Sequence, residues 1–271
     1  MQDLTKLDTH FAFGKNWSSF ARSVGEQQIS DAVAGVQKLV GGLSGARFLD
    51  IGCGSGLHSL AALRLGASEV VALDIDPDSV ATARKVLSSY APDARVRVEQ
   101  ESVFDLTPAR LGTFDIVYSW GVLHHTGDLM RAIRNAASLV GDKGRFVFAL
   151  YRRTWTCSLW RLEKRWYSAA SPKAQKVAQA MYIAMLRLAQ STVGPGLKTD
   201  KPAGEYRGMD LLHDVHDWLG GYPYESIKPE SVDRLMAELG LVRERCFIRD
   251  GWRARSGFLG SGCDEYVYVR P

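Results

Sequence analysis

Cysteine and long apolar runs are scarce in this 271-residue chain, which narrows the classes of protein that it can be. The four cysteines have no Cys-x-x-Cys spacing, so the sequence predicts neither a disulfide framework nor a zinc site. No stretch approaches the ~18 consecutive apolar residues of a membrane span. Residues 1–10 are polar and lack the apolar region of a signal peptide. We therefore expect a cytoplasmic protein without a transmembrane segment or a metal.

Neither positive nor negative charge is in large excess, because the net charge is only +4. The charged side chains are nevertheless distributed unevenly along the chain. Residues 152–190 hold eight basic side chains and one acid, a net charge of +7, together with three tryptophans. Two explanations fit this pattern equally well. One is a solvated helical face, and the other is a surface that binds an anionic substrate, a partner or lipid head groups. Peripheral membrane contact therefore stays an open alternative, and the sequence leaves the oligomeric state open.

Strand and helix patterns alternate between residues 47 and 151. Apolar runs of strand length, separated by helices, predict a parallel sheet with helices on both faces. The predicted strands are Arg47–Ile51, Glu69–Leu73, Arg95–Glu99, Phe114–Ser119 and Arg145–Tyr151. The predicted helices are Ser30–Leu39, Leu57–Leu65, Pro77–Ser89 and Leu129–Leu139.

The alternation stops after residue 151. Residues 152–193 have the pattern of two helices, and a loop is predicted from Gly194 to about Tyr224. The predicted last elements are a helix near Glu230–Leu239 and two strands, Leu241–Arg249 and Glu265–Val269. Since the chain has no internal repeat and no low-complexity linker, we expect one domain.

A glycine-rich loop follows the first strand, in the stretch Phe48-Leu49-Asp50-Ile51-Gly52-Cys53-Gly54-Ser55-Gly56. Glycine at 52, 54 and 56 accepts positive φ and lets the backbone approach a ligand closely. A helix that begins after Gly56 would direct its free N–H groups at that ligand. The dinucleotide fingerprint needs its third glycine where this chain has Leu57. Asp50 at the head of the loop also favours a cationic ligand over a pyrophosphate.

The motif Asp50-x-Gly52-x-Gly54-x-Gly56 resembles the first motif of the class I S-adenosylmethionine-dependent methyltransferases. The stretches VVALDIDPDSV and FDIVYSWGVLHHTGD follow it in the order of that family. The resemblance implies a Rossmann-like, doubly wound seven-stranded sheet with the last strand antiparallel. It also implies an N-terminal helical lid (1–45), a cofactor-binding core (46–151), a helical insertion with a substrate-side loop (152–228), and a C-terminal helix and strand pair (229–271).

S-adenosylmethionine is the cofactor that the resemblance implies, and it carries a sulfonium and an ammonium but no phosphate. Asp74 lies eighteen residues after Gly56, where an acid accepts hydrogen bonds from the two ribose hydroxyls. Ile75 would lie against the adenine, and the backbone N–H of Val103 would pair with a ring nitrogen. Ser102 stands where related enzymes often have an acid. The predicted cofactor contacts are Asp50, Gly52, Gly54, Gly56, Asp74, Ile75, Ser102, Val103 and Trp120.

Two adjacent histidines, His124 and His125, follow the fourth strand, at the edge where open α/β sheets bind ligands. Methyl transfer requires removal of a proton from the acceptor, and histidine titrates near neutrality. Either histidine is therefore a candidate base, and a structural role in ordering the loop is the alternative. The sequence does not choose between them.

Several acceptor classes lack their motifs here. The chain has no Asn/Asp-Pro-Pro-Tyr turn and no Pro-Cys pair, which related DNA methyltransferases use, and Trp120-Gly121 supplies no acidic magnesium ligand. We therefore expect no nucleic-acid partner and a small-molecule methyl acceptor, with quinone-biosynthesis enzymes among the similar bacterial proteins.

The segment from Glu205 to Glu225 is dense in reactive side chains, as functional loops often are. Arg207 is suited to bind a carboxylate or phosphate. The predicted substrate contacts are Arg207, His213, Tyr222 and Tyr224. Upstream, Phe11, Phe13 and Trp17 form either a lid or a packing anchor.

The functional prediction is methyl transfer from S-adenosylmethionine to an oxygen or nitrogen of a small molecule, which is anionic if Arg207 binds it. The alternatives are a membrane-associated methyltransferase of a quinone or lipid, and a non-catalytic cofactor-binding partner protein.

Overall fold

A twisted sheet of seven strands forms the centre of the molecule, in the order β3-β2-β1-β4-β5-β7-β6. The computed structural model describes residues 13–21, 24–191, 211–248, 257 and 262–271. The strands are β1 Arg47–Ile51, β2 Glu69–Asp74, β3 Val96–Gln100, β4 Phe114–Trp120, β5 Val140–Tyr151, β6 Val242–Phe247 and β7 Cys263–Val269. β1 to β5 are parallel, whereas β7 is antiparallel to both β5 and β6. The predicted fold class is confirmed.

Helices cover both faces of the sheet. They are α1 Phe13–Phe20, α2 Glu26–Val40, α3 Leu57–Arg64, α4 Pro77–Tyr90, α5 Pro108–Leu111, α6 Leu129–Ser138, α7 Cys157–Ala169, α8 Pro172–Ser191, α9 Leu211–Gly220 and α10 Pro229–Glu238. Successive strand residues enter different cores: Phe48 packs with α2, α3 and α4, and Leu49 packs with α5, α6 and α10. Because both faces are buried, the central strands are apolar at nearly every position.

The predicted loop from Gly194 to Tyr224 is wrong for part of its length, because α9 occupies Leu211–Gly220. Val215 and Leu219 lie one turn apart on α9 and pack against Tyr167 of α7. The acids and histidines between them hide this apolar spacing in the sequence, and packing onto the insertion stabilises the helix. Residues 192–210 lie outside the described part of the chain.

β5 begins at Val140, five residues before the predicted start at Arg145. Val140 pairs with Phe114, and the register shifts before Ile116 pairs with Arg145. Gly141 and Gly144 lie in this bulged stretch, and β-bulges favour glycine.

Two short 3₁₀ turns, Val103–Asp105 after β3 and Leu123–His125 after β4, complete the carboxyl edge of the sheet. This edge also carries the glycine loop after β1 and Asp74 at the end of β2. No helix in the described ranges is long and apolar enough to cross a bilayer.

Candidate active site

A cleft opens at the carboxyl edge of the sheet, where the strand ends, α1 and α9 meet. It is lined by Phe13, Trp17, Ile51, Gly52, Asp74, Ile75, Asp76, Glu101, Ser102, Val103, Phe104, Trp120, Gly121, Val122, His125, Thr126 and Asp217. Six predicted cofactor contacts (Gly52, Asp74, Ile75, Ser102, Val103 and Trp120) are brought together there, with one of the two candidate bases.

The glycine loop turns tightly under this cleft. Gly52, Gly54 and Gly56 have φ of 77°, 54° and 79°, which L side chains rarely adopt. A Cβ on Gly54 would lie 2.8 Å from the Trp17 ring, and one on Gly56 would lie 3.0 Å from the Cβ of Ala83. The loop therefore needs glycine both for its backbone conformation and for the close approach of α1 and α4.

Asp74 joins this loop to the end of β2. Its Oδ2 accepts a hydrogen bond from the Gly54 N–H at 2.9 Å, and its Oδ1 accepts one from the Asp76 N–H at 2.9 Å. A carboxylate has about four acceptor positions, so two backbone bonds leave capacity for two hydroxyl donors. Burial raises the pKa of Asp74 to about 6, against the opposing effect of these backbone hydrogen bonds. Asp76 caps α4 by accepting from the Asp78 N–H at 2.8 Å.

Asp50 lies behind the loop and does not line the cleft. Only 2% of it is exposed, and its Oδ2 accepts a 2.6 Å hydrogen bond from the Ser59 hydroxyl. Burial raises the pKa of Asp50 to about 7, and the nearby charge of Asp74 adds to this effect. Asp50 thus fixes the position of α3 from within the core.

Opposite the loop, the cleft wall is formed by Ser102 and the turn that follows it. The Ser102 hydroxyl accepts from the Phe104 N–H at 3.2 Å, so it caps the turn. Glu101 also lines the cleft, and sequence reasoning missed it. Its carboxylate pairs with Arg110 at 2.8 Å. The sequence did indicate this position, because Glu101 is an acid directly before Ser102.

The two histidines have different surroundings. His125 lines the cleft, and its Nδ1 is 2.7 Å from the Pro223 carbonyl oxygen. Because a carbonyl can only accept, Nδ1 carries the proton and the lone pair of the neutral ring is on Nε2. His124 is 0% exposed, and its ring lies 3.8 Å from that of Tyr151. The His124 Nδ1 accepts from the Tyr151 backbone N–H at 3.4 Å, outside the cleft lining.

α1 covers one side of the cleft. Trp17 lies over Gly54, and the Phe13 ring is 5.2 Å from that of His125. Phe20, at the other end of α1, is 1% exposed in the core. One end of α1 is therefore an anchor, while Phe13 and Trp17 border the cleft; Phe11 lies outside the described residues.

The predicted substrate contacts that the structure describes are not among the residues that line the cleft. Tyr224 is 2% exposed, and its hydroxyl donates to the Cys157 sulfur at 3.4 Å. The His213 ring is 6.0 Å from Phe20, and neither it nor Tyr222 lines the cleft. Arg207 lies outside the described residues. Among the described residues of this segment, Asp217 lines the cleft.

Lys164, one of the eight basic side chains of residues 152–190, is buried in the protein. It is 0% exposed, and its Nζ donates to the Trp218 carbonyl and lies 3.6 Å from the centre of the Trp218 ring. Burial lowers the pKa of Lys164 to about 7. The helical spacing of the sequence indicated this burial, because Lys164 lies on the same face as Cys157 and Tyr167, which are also buried.

Residues 49–148 match the family model described as a methyltransferase domain. The ubiquinone biosynthesis O-methyltransferase of Xanthomonas campestris pv. campestris (strain B100) is 41% identical over 112 residues, which cover 41% of this chain and 46% of the relative. That of Xanthomonas euvesicatoria pv. vesicatoria (strain 85-10) is 40% identical over 112 residues. The chain thus spans about half the length of the curated relatives that it matches.

Solved structures share the fold at low sequence identity. The magnesium protoporphyrin IX methyltransferase of Synechocystis PCC 6803 with bound SAH is 16% identical, with a TM-score of 0.53 over 90% of this chain and 82% of that one. An S-adenosylmethionine-dependent methyltransferase of Mesorhizobium loti is 19% identical, with a TM-score of 0.51 over 88% of this chain and 96% of that one. Residues 49–148 therefore match a methyltransferase domain, and the chain that contains them shares the fold of these solved methyltransferases.

Proposed function

We propose that this chain transfers the methyl group of S-adenosylmethionine to an oxygen or nitrogen of a small molecule, with His125 as the base. The observation that carries the proposal is the position of His125. Its ring lines the same cleft as Asp74 and the glycine loop, with Nδ1 donating to the Pro223 carbonyl. His124 is enclosed by Tyr151 and is assigned a structural role.

The charges along the cleft fit a cationic cofactor. Four of the described residues that line it are acids (Asp74, Asp76, Glu101 and Asp217), and none of those described lining residues is a lysine or arginine. Such a wall favours a sulfonium and an ammonium and disfavours a pyrophosphate. The same acids favour an acceptor that is neutral before it loses its proton. An anionic acceptor would need a cation beyond the described lining residues, and Arg207, which was predicted for this role, lies outside the described residues.

The chemistry asks the protein mainly for positioning and for removal of one proton. When bound, S-adenosylmethionine supplies a methyl group on a leaving group that is already cationic. Gly52, Asp74 and Ile75 would hold it, and Trp120 forms the wall beside it, with its indole N–H fixed by Glu265 at 2.9 Å. His125 Nε2 would accept the proton of the acceptor, and the Pro223 carbonyl would stabilise the resulting imidazolium.

The experiment is to measure S-adenosylhomocysteine formation from S-adenosylmethionine with a panel of neutral phenols, hydroquinones, alcohols and amines. We expect turnover with at least one oxygen or nitrogen acceptor. Binding of the cofactor without product on any member of the panel would contradict the proposal and support the non-catalytic alternative.

Affinity for S-adenosylmethionine should rise with pH. The pKa values of Asp74 and Asp50 are raised to about 6 and about 7, and a cationic ligand prefers their ionised forms. We expect about tenfold weaker binding at pH 5 than at pH 8, since one pKa unit corresponds to a factor of ~10. Calorimetry near pH 6 in buffers of different ionisation enthalpy should show proton release. The dependence of cofactor affinity on pH should be weaker in Asp74→Asn than in the wild type. An affinity that does not change with pH in the wild type would refute this electrostatic explanation.

Gly221 should be sensitive to substitution because of its contact with His125. A Cβ at this position would lie 2.5 Å from the His125 Cε1, so alanine must displace the ring. We expect Gly221→Ala to lower kcat by about tenfold or more, as small misplacements of catalytic groups do, with unchanged cofactor affinity. Gly42→Ala is the matched control, because nothing lies within 4 Å of its added Cβ. Equal kcat in the two variants would rule out this positioning role.

A further inference from the structure

Large apolar side chains are exposed along one side of both helices of the insertion. They are Leu159, Leu162 and Trp166 on α7 and Val177, Met181 and Met185 on α8, between 39% and 69% exposed. Their spacings of three and four residues place each set on one helical face. We call these six residues the apolar stripes.

The opposite faces of the same helices are already packed. Tyr167 of α7 lies in a cluster with Val215 and Leu219 of α9, and Tyr182 and Leu186 of α8 pack against it. A surface helix ordinarily presents a polar face to water opposite its packed face. The apolar stripes therefore need another explanation, and exposed apolar patches of this kind mark interaction sites.

The charges beside the stripes are of one sign. Arg165, Lys173, Lys176 and Arg187 are exposed on the same two helices. Glu163 is the single acid of residues 152–190, and it is partly buried. The surface thus combines apolar side chains with cations and offers no exposed acid on the described residues of α7 and α8.

We infer that the face of α7 and α8 that carries the apolar stripes docks on an anionic lipid bilayer. Basic amphipathic helices with Trp and Leu on their apolar side bind in the interfacial region of a membrane, and anionic head groups attract their Lys and Arg. This inference is independent of the proposed methyl transfer, because it depends on the surface alone.

A second copy of the chain fits this surface less well. A two-fold contact brings the same patch of each copy together, and here each copy would contribute cations without an exposed acid to pair them. The cores of protein interfaces are also depleted in lysine. A bilayer with anionic head groups satisfies both the charges and the apolar side chains.

The position of the surface connects it to the cleft. α7 packs on α9 through Tyr167 and Val215, and α9 contributes Asp217 to the cleft lining. A bilayer on α7 and α8 would therefore lie on the α9 side of the cleft.

Flotation of the full chain with vesicles tests the inference, with 30% phosphatidylglycerol in phosphatidylcholine as the anionic probe and pure phosphatidylcholine as the neutral one. We expect at least tenfold more bound protein with the anionic vesicles and a blue shift of tryptophan fluorescence. The charge variant Lys173→Glu/Lys176→Glu and the apolar variant Leu159→Ser/Trp166→Ser should each reduce binding at least tenfold. The matched controls Lys85→Glu and Val242→Ser change exposed residues of α4 and β6 and should bind like the wild type.

Circular dichroism would verify that all four variants keep the fold, as expected for exposed positions. Three outcomes would overturn the inference: no preference for anionic vesicles, equal loss in the controls, or full binding by the apolar variant. A change from dimer to monomer in the apolar variant without vesicles would also overturn it, in favour of a self-association surface.

Discussion

Replacing His125 by asparagine is expected to lower kcat by about 100-fold or more, the usual range for loss of a general base. Asparagine keeps a side-chain N–H that can donate to the Pro223 carbonyl, which His125 Nδ1 meets at 2.7 Å. It removes the titratable Nε2 that would accept the proton. The measurements are kcat with the acceptor that turns over fastest and the affinity for S-adenosylmethionine by calorimetry. The affinity should stay within about twofold of the wild-type value, well below the factor of ~10 that one pKa unit represents.

His124→Asn is the matched control for this prediction. His124 is enclosed in the core with its ring tilted against that of Tyr151, so its loss should lower the free energy of unfolding by about 1–3 kcal/mol. The kcat of the folded fraction should change far less than in His125→Asn. If the folded His124→Asn protein lost as much kcat, the assignment of the base to His125 would be wrong.

Asp74→Asn is expected to weaken S-adenosylmethionine binding by about 10- to 100-fold, since hydrogen bonds to a charged group contribute about 1.5–3 kcal/mol. The amide has nearly the same shape as the carboxylate, but it loses the negative charge and one acceptor oxygen. Asp74 also accepts from the Gly54 N–H, so the glycine loop loses part of its support. Isothermal titration calorimetry at pH 8, where the wild-type carboxyl with its pKa of about 6 is ionised, gives the comparison.

Asp78→Asn is the control for charge, because Asp78 is an exposed acid in the first turn of α4. It removes the same charge from the same region, and its affinity should match that of the wild type. A melting curve of Asp74→Asn would show whether the loop variant is folded at the temperature of titration. Wild-type affinity in folded Asp74→Asn would exclude Asp74 as a cofactor ligand.

The meeting of several predicted cofactor contacts at one cleft was predictable, because these residues follow the ends of successive parallel strands. Gly52 comes directly after β1. Asp74 is the last residue of β2, and Trp120 is the last residue of β4. Parallel strands bring these ends to one edge of the sheet, so the order of the motifs is enough to place them together. Asp50 differs because it is the residue before the strand end, within β1, and its side chain points into the core.

The choice between the two histidines could not be made from the sequence. His124 and His125 share one 3₁₀ turn, and their different directions depend on contacts with distant residues. The Pro223 carbonyl, 98 positions away in the sequence, accepts the hydrogen bond from His125 Nδ1, and Gly221 leaves room for the ring. Such contacts leave no periodic signal in the sequence.

The surroundings of the predicted substrate contacts were hardest to predict, because they too depend on contacts between residues that are distant in the sequence. Tyr224 was proposed as a substrate contact because phenols in loops are often functional, but packing against Tyr151 and Cys157 buries it. Lys164 is buried although lysine is usually exposed, and Trp218 supplies both the carbonyl and the ring that surround its ammonium. These positions depend on how the insertion packs against α9.

A structure of the chain with S-adenosylhomocysteine would test whether Asp74 and His125 lie on opposite sides of one bound cofactor. We expect the ribose hydroxyls within hydrogen-bonding distance of the Asp74 carboxylate, the adenine against Ile75 and Val103, and the sulfur facing His125 across the cleft. A ribose away from Asp74, or a sulfur that faces away from His125, would contradict this arrangement.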